Sequence, residues 1–568
     1  MASSGRLRRV PFVLAALLGL AVYAGCGGSG GGAPKRGGTL TVLATSDFQS
    51  LDPGSSYNQF DYMVQYATER TLFGWKPGTT GAPVPDLAAG PPHISNGGRR
   101  VTVKLRRGVR FSPPVGREVT SQDVRYALER AARPNVANGY WATYFSELVG
   151  ADAFVAGHAP HIAGIHTPDP NTLVLDLARP TAATVWQALS LPVSAPVPRE
   201  YASRFDSHDP STYAKHVVAT GPYMVSSYEP GKRAVLSRNP NWDAGTDWRP
   251  AYANEIEVSM GNDAGIASRS ILAGSARISG DFSAPPAAIK SAGSRRRAQL
   301  GIAPGVGVLF ASLNTRVKPL DDADVRRAIV AATDRNAMRL TRGGEQAGTI
   351  ATHYLFPGMP GFDAAGGRAG PVVDFLRNPS GDLELAHAYM RKAGYPSGRY
   401  TGHAELLMVA DNQGPAAKAA EVLQARLADL GFNVKLRTVT LEAMYSKFCG
   451  VPRARVAICP NLGWLKDFYD PQTVLDPMFN GAHIAPVNNS NYSELDDSQV
   501  NAAIARAETL LAPRARAAAW GEVDRMVTER AAGIPWLWIN QINLRSSDVR
   551  GVVNRFTGSW DLAFTALK

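Results

Sequence analysis

The sequence has few of the features that catalysis or metal binding requires. Its 568 residues include three cysteines and ten histidines. No GxSxG elbow, P-loop, GxGxxG turn or HExxH helix stands in the strand-and-helix context that gives such motifs a function. His158 and His161 have a spacing that would share a helical face, but Ala159-Pro160 between them breaks a helix. The sequence therefore predicts a protein that is not an enzyme and that has no metal or cofactor.

Charge is also limited, because charged residues make up only 19% of the chain. The formal net charge is +12, and removal of an N-terminal peptide with Arg6, Arg8 and Arg9 takes it to +9. No dense Lys/Arg run with interleaved aromatic residues occurs, and Arg295-Arg296-Arg297 is short and isolated. We interpret that stretch as solvated surface and expect no nucleic-acid partner.

Long apolar runs are absent except at the N-terminus. A basic segment and the apolar stretch Pro11 to Val22 precede Tyr23-Ala24-Gly25-Cys26, which resembles a lipobox with Tyr23 in the usual leucine position. We predict a lipoprotein signal peptide over 1–25, lipidation at Cys26 and a Gly-rich tether over 26–38. The alternative is a plain secreted protein with a free cysteine, and Arg8-Arg9 leaves twin-arginine export open.

The other two cysteines, Cys449 and Cys459, are close in sequence. In an oxidising compartment such a pair favours a disulfide, and closing a loop of about ten residues adds roughly 3 kcal/mol on the chain-entropy model. Two buried thiols, or half of a metal site with no nearby histidine, are the alternatives.

The apolar patterns divide the chain into two parts. The first half is rich in strands: 39–43, 101–105, 171–177 and a Pro-Gly hairpin over 223–238, with a capping box at Thr120 and Asp123. The second half alternates helices and strands, including a βαβ unit over 404–436. We predict lobe one over 39–310, with a subdomain near 59–180 and with 533–568 returning to it, and lobe two over 311–532.

Several ordered segments resemble one family, the family 5 solute-binding proteins. They cover nearly the whole mature chain: Gly37 to Val42 with Leu51-Asp52-Pro53, Pro85 to Ala88, Val103 to Phe111, Thr120 to Arg130, Thr220 to Tyr223, Arg238 to Trp242, Val325 to Arg335, Ala393 to Pro396, and Gly463 to Pro471. The resemblance implies a two-lobed, periplasmic-binding-protein-like α/β fold of type II, cluster C, with mixed sheets and a hinge.

The resemblance also implies ligand-binding residues. In peptide-binding members, the Asp at the position of Asp467 receives the peptide's ammonium group, although a structural Asp is the alternative. Trp464 is equally compatible with a pocket wall and with plain core, and the loop Ser46-Asp47-Phe48 is expected to face the same cleft. Asp470 before Pro471 predicts a helix N-cap without a ligand role. The loop 411–415 lacks the arginine of dipeptide-specific members, which favours longer peptides.

These observations predict an extracytoplasmic, lipid-anchored, monomeric binding protein at the outer face of the cell membrane. Its expected partners are a peptide-like ligand and the permease subunits of an ABC importer. A non-peptide solute such as a metal chelate or oligosaccharide is the alternative ligand. A surface signalling lipoprotein without transport is the alternative function, and a secreted hydrolase is disfavoured by the missing catalytic cluster.

Overall fold

The computed structural model describes residues 34–292 and 295–568. Within these residues the chain forms two lobes, and three larger sheets organise them, two with mixed strand directions and one antiparallel. The predicted signal peptide, Cys26 and the first part of the tether lie outside the described residues. The end of the predicted tether already belongs to the folded body, because Lys35 bridges Leu567 and the Gly37 amide donates to the Tyr252 carbonyl at 2.8 Å.

Lobe one is built on a five-stranded sheet in which the first strand of the described chain is an inner strand. That strand pairs in parallel with two later ones, and the predicted Pro-Gly hairpin completes the sheet in antiparallel fashion. Leu40 and Val42 are fully buried beneath it, as their alternation predicts. In sheet order the strands are Arg277–Ser279, Thr39–Leu43, Glu255–Ser259, Arg233–Arg238 and Tyr223–Glu229.

The subdomain of lobe one carries a four-stranded antiparallel sheet. Its strands, in order, are His93–Ser95, Arg100–Lys104, Thr172–Asp176 and Ile165–Asp169. The helix Ser121–Ala131 packs beside it and begins with the predicted capping box of Thr120 and Asp123. Arg130 on this helix is completely buried and pairs with Asp52 and Asp206 at 2.7 and 2.6 Å. This charge cluster fixes the subdomain to the start of the chain.

Lobe two is an α/β unit around a six-stranded sheet. The predicted βαβ unit consists of Glu405–Asp411, the helix Gly414–Asp429 and Asn433–Val439, with the two strands in parallel register. The strand that follows the βαβ unit, Ile458–Leu465, includes Trp464. In sheet order the strands are Gly348–Thr349, Gly533–Leu544, Leu300–Leu313, Ile458–Leu465, Glu405–Asp411 and Asn433–Val439.

Two of these strands, Leu300–Leu313 and Gly533–Leu544, form the connection between the lobes and are called the hinge strands below. They pair antiparallel over their length, with a break in register between Ala303 and Gly307. Before this break, the pair contacts lobe one, since the Ala284 amide donates to the Ile542 carbonyl at 2.8 Å. The predicted boundary at 310 thus falls inside one continuous strand and the boundary at 533 at the first residue of the other, and a pair of strands is the element that a hinge motion would bend.

Helices cover both lobes, with short connections between them. Those of lobe one are Gln59–Thr68, Ser121–Ala131, Trp141–Phe145, Ala151–Val155, Ala182–Ala188, Arg199–Asp206, Ala264–Ala273 and Pro286–Ala292. Those of lobe two are Ala323–Ala332, Arg335–Thr341, Leu383–Lys392, Gly414–Asp429, Leu441–Ala443 with π-helical Met444–Cys449, Gln472–Phe479, Ser498–Glu508 and Pro513–Glu529. Two small strand pairs, Phe73–Gly74 with Val84–Pro85 and Val549–Arg550 with Ala566–Leu567, complete lobe one.

Candidate functional site

Asp467 lies between the lobes. It follows the strand Ile458–Leu465 by two residues, at the point where the chain leaves the lobe-two sheet. Its carboxylate Oδ2 accepts hydrogen bonds from the hydroxyls of Tyr57 at 3.3 Å and Tyr144 at 2.5 Å. Both tyrosines belong to lobe one, beside the helix Gln59–Thr68 and on the helix Trp141–Phe145. The carboxylate of one lobe is therefore held by two phenols of the other.

The charge of Asp467 is incompletely compensated. Burial raises its pKa to about 6, and the hydrogen bonds from Tyr144 and Tyr57 act in the opposite direction. Burial and the nearby carboxylate raise the pKa of both tyrosines well above the ordinary value, so both hydroxyls stay protonated donors. Among the described residues, no cation contributes to stabilising this carboxylate. Asp467 thus has acceptor capacity and negative charge available for a cationic group.

An aromatic path extends from Asp467 into lobe two. Trp464 is half-buried and packs against the lobe-two core, while its Nε1 donates to the Thr473 carbonyl at 2.6 Å. The Gly463 amide donates to the Tyr445 hydroxyl at 3.1 Å, and the rings of Tyr445 and Tyr492 lie 5.7 Å apart. Sequence reasoning missed Tyr57, Tyr144, Tyr445 and Tyr492, because no local pattern connects tyrosines so distant along the chain.

The loop Ser46-Asp47-Phe48 is tied to lobe one by structural contacts. The Ser46 amide donates to Asp281 at 2.8 Å and its side chain is exposed. Asp47 accepts from the Tyr228 hydroxyl at 2.9 Å and from the hairpin turn at Gly231, and Phe48 is buried in the core of lobe one. The structure therefore gives Asp47 and Phe48 roles in stabilising the fold, and ligand contact by this loop stays a prediction.

Asp470 has a larger structural role than the predicted N-cap. Its Oδ1 accepts from the Gln472 amide at 2.9 Å, which caps a helix whose first residue is Gln472 and not Pro471. Its carboxylate also forms a buried two-point pair with Arg516 at 2.7 and 2.9 Å. Removing one partner of such a pair leaves a buried charge and costs several kcal/mol, more than a lost cap. An Asp470 variant would lose stability for this reason, so it is not a suitable control for a variant of Asp467.

Further contacts hold the lobes together around this segment. Arg516 of lobe two donates to the Thr184 hydroxyl of lobe one at 2.9 Å, and Thr184 also contacts Gln472. Nearer the edge, Arg179 of lobe one pairs with Glu508 of lobe two at 2.7 Å. The structure is thus a closed arrangement in which Asp467 lies inside the interface between the lobes.

Arg342 lies near the loop 411–415, which has no arginine of its own. Arg342 follows the helix Arg335–Thr341, and its guanidinium lies over the buried ring of Trp536, 5.8 Å from the centroid. Burial lowers its pKa, while Asp411 and Tyr445 act in the opposite direction, so both lie near it. Its Nε is enclosed without a hydrogen-bond partner among the described residues. The 411–415 loop therefore has a cationic neighbour that the sequence order did not reveal.

The two remaining cysteines meet in the lobe-two core. The sulfur atoms of Cys449 and Cys459 are 2.08 Å apart, and both residues are buried. A disulfide between them in the mature protein stays a prediction.

A small cavity of about 20 Å³ lies within lobe one and is distinct from the interface. Tyr66, Trp75, Asp86, Arg249 and Asp561 are among its lining residues, all of which belong to lobe one or to the returning C-terminal segment. Since none of the lining residues comes from lobe two, closure of the lobes does not form this cavity. Asp467, which contacts both lobes, is the better candidate for ligand binding.

Comparisons with known proteins identify the family. The model of the bacterial extracellular solute-binding proteins, family 5, matches residues 82–486. The chain belongs to this family. Its members are the solute-binding components of ABC importers and bind rather than transform their solutes, so this extracytoplasmic chain is a binding protein and not an enzyme.

Individual relatives differ in their ligands. Heme-binding protein A of Haemophilus influenzae is 26% identical over 85% of this chain and 83% of its own length. The dipeptide-binding protein of Escherichia coli is 26% identical over 74% of each chain. The solved structure of clavulanic acid biosynthesis oligopeptide binding protein 2 is 28% identical, covers 94% of this chain and 96% of its own, and superposes with a TM-score of 0.82. The predicted two-lobed fold is confirmed, whereas the ligand varies within the family.

Among the described residues, no helix has the length and apolar character needed to cross a bilayer.

Proposed function

We propose that this family member is a monomeric, lipid-anchored receptor that captures peptides, preferably longer than two residues, for an ABC importer. The observation that carries the proposal is the carboxylate of Asp467, which lies between the lobes with two phenol donors and no cationic partner among the described residues. A peptide's α-ammonium group supplies the missing charge and further hydrogen-bond donors. Such a pair gains strength where closure excludes water.

The preference for longer peptides rests on the distance to a second charged group. Tyr445 contacts the strand at Gly463, four residues before Asp467, and Arg342 lies near Tyr445. At about 3.3 Å per extended residue, Gly463 and Asp467 are separated by at most about 13 Å. A dipeptide spans only about 7 Å on the same measure. We expect Arg342 to receive the ligand's carboxylate, and we propose that the span between the two charged groups exceeds that of a dipeptide, so that the ligand has three or more residues.

The anchor and the location belong to the same proposal. The N-terminal apolar stretch and Tyr23-Ala24-Gly25-Cys26 support acylation at Cys26, which keeps a solute-binding protein beside its permease. The oligopeptide-binding protein among the compared structures supports the ligand class, and the heme-binding relative makes a metal chelate the second candidate.

A direct binding experiment tests the ligand class. Purified protein without its signal peptide is scanned by thermal unfolding against dipeptides, tripeptides, tetrapeptides and heme, and the positive ligands are measured by calorimetry. A ligand at a hundred times its dissociation constant stabilises the folded state by about 2.7 kcal/mol. We expect shifts from free tripeptides and tetrapeptides that exceed those from dipeptides and from N-acetylated peptides. A shift from heme with none from any peptide would establish the second candidate.

A further inference from the structure

Lys466, the residue before Asp467, is a buried cation at the interface between the lobes. Only 7% of its surface is exposed. Its ammonium lies 4.7 Å from the ring centroid of Phe556, in the C-terminal segment of lobe one, and 5.5 Å from that of Phe356 in lobe two. Phe556 in turn stacks on Trp75, with 3.5 Å between centroids. An aromatic wall thus faces the ammonium from both lobes.

This cation has no anionic partner among the described residues, in contrast to the buried arginines Arg130 and Arg516. Arg130 pairs with Asp52 and Asp206, and Arg516 pairs with Asp470. Lys466 has neither an ion pair nor a hydrogen bond from its nitrogen within the described chain, and burial is the sole cause that lowers its pKa, to about 8. The ammonium therefore remains largely protonated at neutral pH while its charge is uncompensated.

The two aromatic rings compensate this charge only in part. The attraction of a cation to an aromatic ring is weaker than the cost of removing an ammonium from water. The nitrogen has no hydrogen-bond partner in the described chain and is not fully enclosed, so a ligand atom can still reach it. A carboxylate between the lobes would meet an ammonium that is already oriented and largely desolvated.

We propose that Lys466 receives a carboxylate of the bound ligand and thereby selects acidic peptides. The position next to Asp467 places this contact near the ligand's amino end, so a Glu or Asp side chain at the first or second residue is the expected source. A short peptide's own terminal carboxylate has the same chemistry. The inference rests on the proposed peptide function, and it adds a charge requirement that the ammonium contact alone does not impose.

The experiment measures affinities by calorimetry with defined peptides. The probes are Ala-Ala-Ala-Ala, the four variants with one Glu, the four matched variants with one Gln, and Ala-Ala-Ala with a free or amidated carboxyl end. Wild-type protein should bind a Glu peptide about 30-fold or more tightly than its Gln counterpart at one position near the amino end. If the terminal carboxylate is the source, the free and amidated tripeptides should differ instead.

The variant Lys466→Met keeps the length and apolar stem of the side chain and removes its charge. In this variant the affinities of a Glu peptide and its Gln counterpart should differ by no more than about threefold, because the Glu peptide binds more weakly while the Gln peptide keeps its affinity. Lys435→Met, which removes an exposed lysine beside Glu405, is the control and should retain the full preference. The comparison of Glu with Gln peptides, and of free with amidated tripeptide, uses wild-type protein alone. A folding defect in Lys466→Met would therefore not remove the test.

The outcomes separate this inference from the function on which it rests. If wild type binds every Glu peptide as tightly as its Gln counterpart, and the free tripeptide as tightly as the amidated one, the role of Lys466 is overturned and peptide capture stays intact. Equal weakening of every peptide by Lys466→Met would also overturn it, and would assign the lysine to ring contacts between the lobes. Binding of none of these peptides would contradict the proposed function, and the inference with it.

Discussion

Replacing Asp467 with Asn should stabilise the ligand-free protein and weaken the binding of free peptides. The amide keeps an acceptor for the hydroxyls of Tyr57 and Tyr144 and removes only the negative charge. The opposite signs of the two effects distinguish a ligand-binding carboxylate from a structural one, because a structural Asp would lose stability when it is replaced.

The stability change follows from the pKa of Asp467, which burial raises from 3.8 to about 6. A carboxyl whose pKa is higher in the folded state holds its proton more tightly there, so its ionisation destabilises the folded protein above about pH 6. This penalty is absent below about pH 4, where both states are protonated. A difference of about two pKa units corresponds to at most about 3 kcal/mol at pH 8, and partial solvent access reduces that figure. The Asn variant should gain this amount at pH 8 and nothing at pH 4.

The affinity change follows from the pair between the carboxylate and the peptide's ammonium. Truncating one partner of a desolvated pair costs roughly 2–5 kcal/mol, or about 30-fold to several-thousand-fold in affinity. N-acetylation of the peptide should weaken wild-type binding comparably. The two losses should not add in Asp467→Asn, because both remove the same interaction.

The assay combines calorimetric titration of a tripeptide and its N-acetyl form with thermal unfolding at pH 4, 6 and 8. Asp429→Asn removes an exposed lobe-two carboxylate that pairs with Arg426 at 3.2 Å, and serves as the control with little change in affinity. A variant that is less stable than wild type at every pH and still binds free peptide normally would refute the assignment of Asp467.

Four further predictions concern the anchor, the cysteines and the charged site. Cys26→Ser should move the protein from the membrane fraction to the medium, and unchanged fractionation would contradict the lipobox interpretation. Peptide mapping without reductant should find Cys449 linked to Cys459 in the secreted protein, whereas alkylation of both would exclude the disulfide. Affinity for a free tripeptide should fall about tenfold from pH 7 to pH 5, because the ionised fraction of Asp467 falls as pH passes its pKa of about 6, and a flat profile would contradict this. Arg342→Met should weaken free peptides and leave C-terminal amides unaffected in calorimetry, and equal effects on both would contradict a carboxylate contact at Arg342.

Local elements of the fold were predictable from the sequence because their signals are local. Thr120 and Asp123 form the predicted capping box, and Asp322 and Asp382 cap helices of lobe two in a similarly local way. The βαβ unit has the expected parallel register. Each of these depends on residues a few positions apart, where backbone hydrogen bonding and apolar spacing decide the outcome.

The surroundings of the candidate site were not predictable in the same way. The phenols of Tyr57 and Tyr144 reach Asp467 across 410 and 323 residues of chain, so only the tertiary structure brings them together. Asp47 illustrates the opposite failure. A polar residue after a strand has the same local pattern whether it binds a ligand or, as here, the Tyr228 hydroxyl and the turn at Gly231. Chemistry alone did not separate the two roles.

The charges of Lys466 and Asp467 bear on how closure is coupled to binding. Two charged pairs at the interface between the lobes are neutralised within the protein, Arg516 with Asp470 and Arg179 with Glu508. Asp467 and Lys466 instead carry charges that closure without ligand leaves uncompensated. Burying them in that state costs free energy, which shifts the empty protein away from the closed form. A peptide that supplies an ammonium to one residue and a carboxylate to the other removes both penalties at once, so the differential affinity needed for closure resides in these two adjacent side chains.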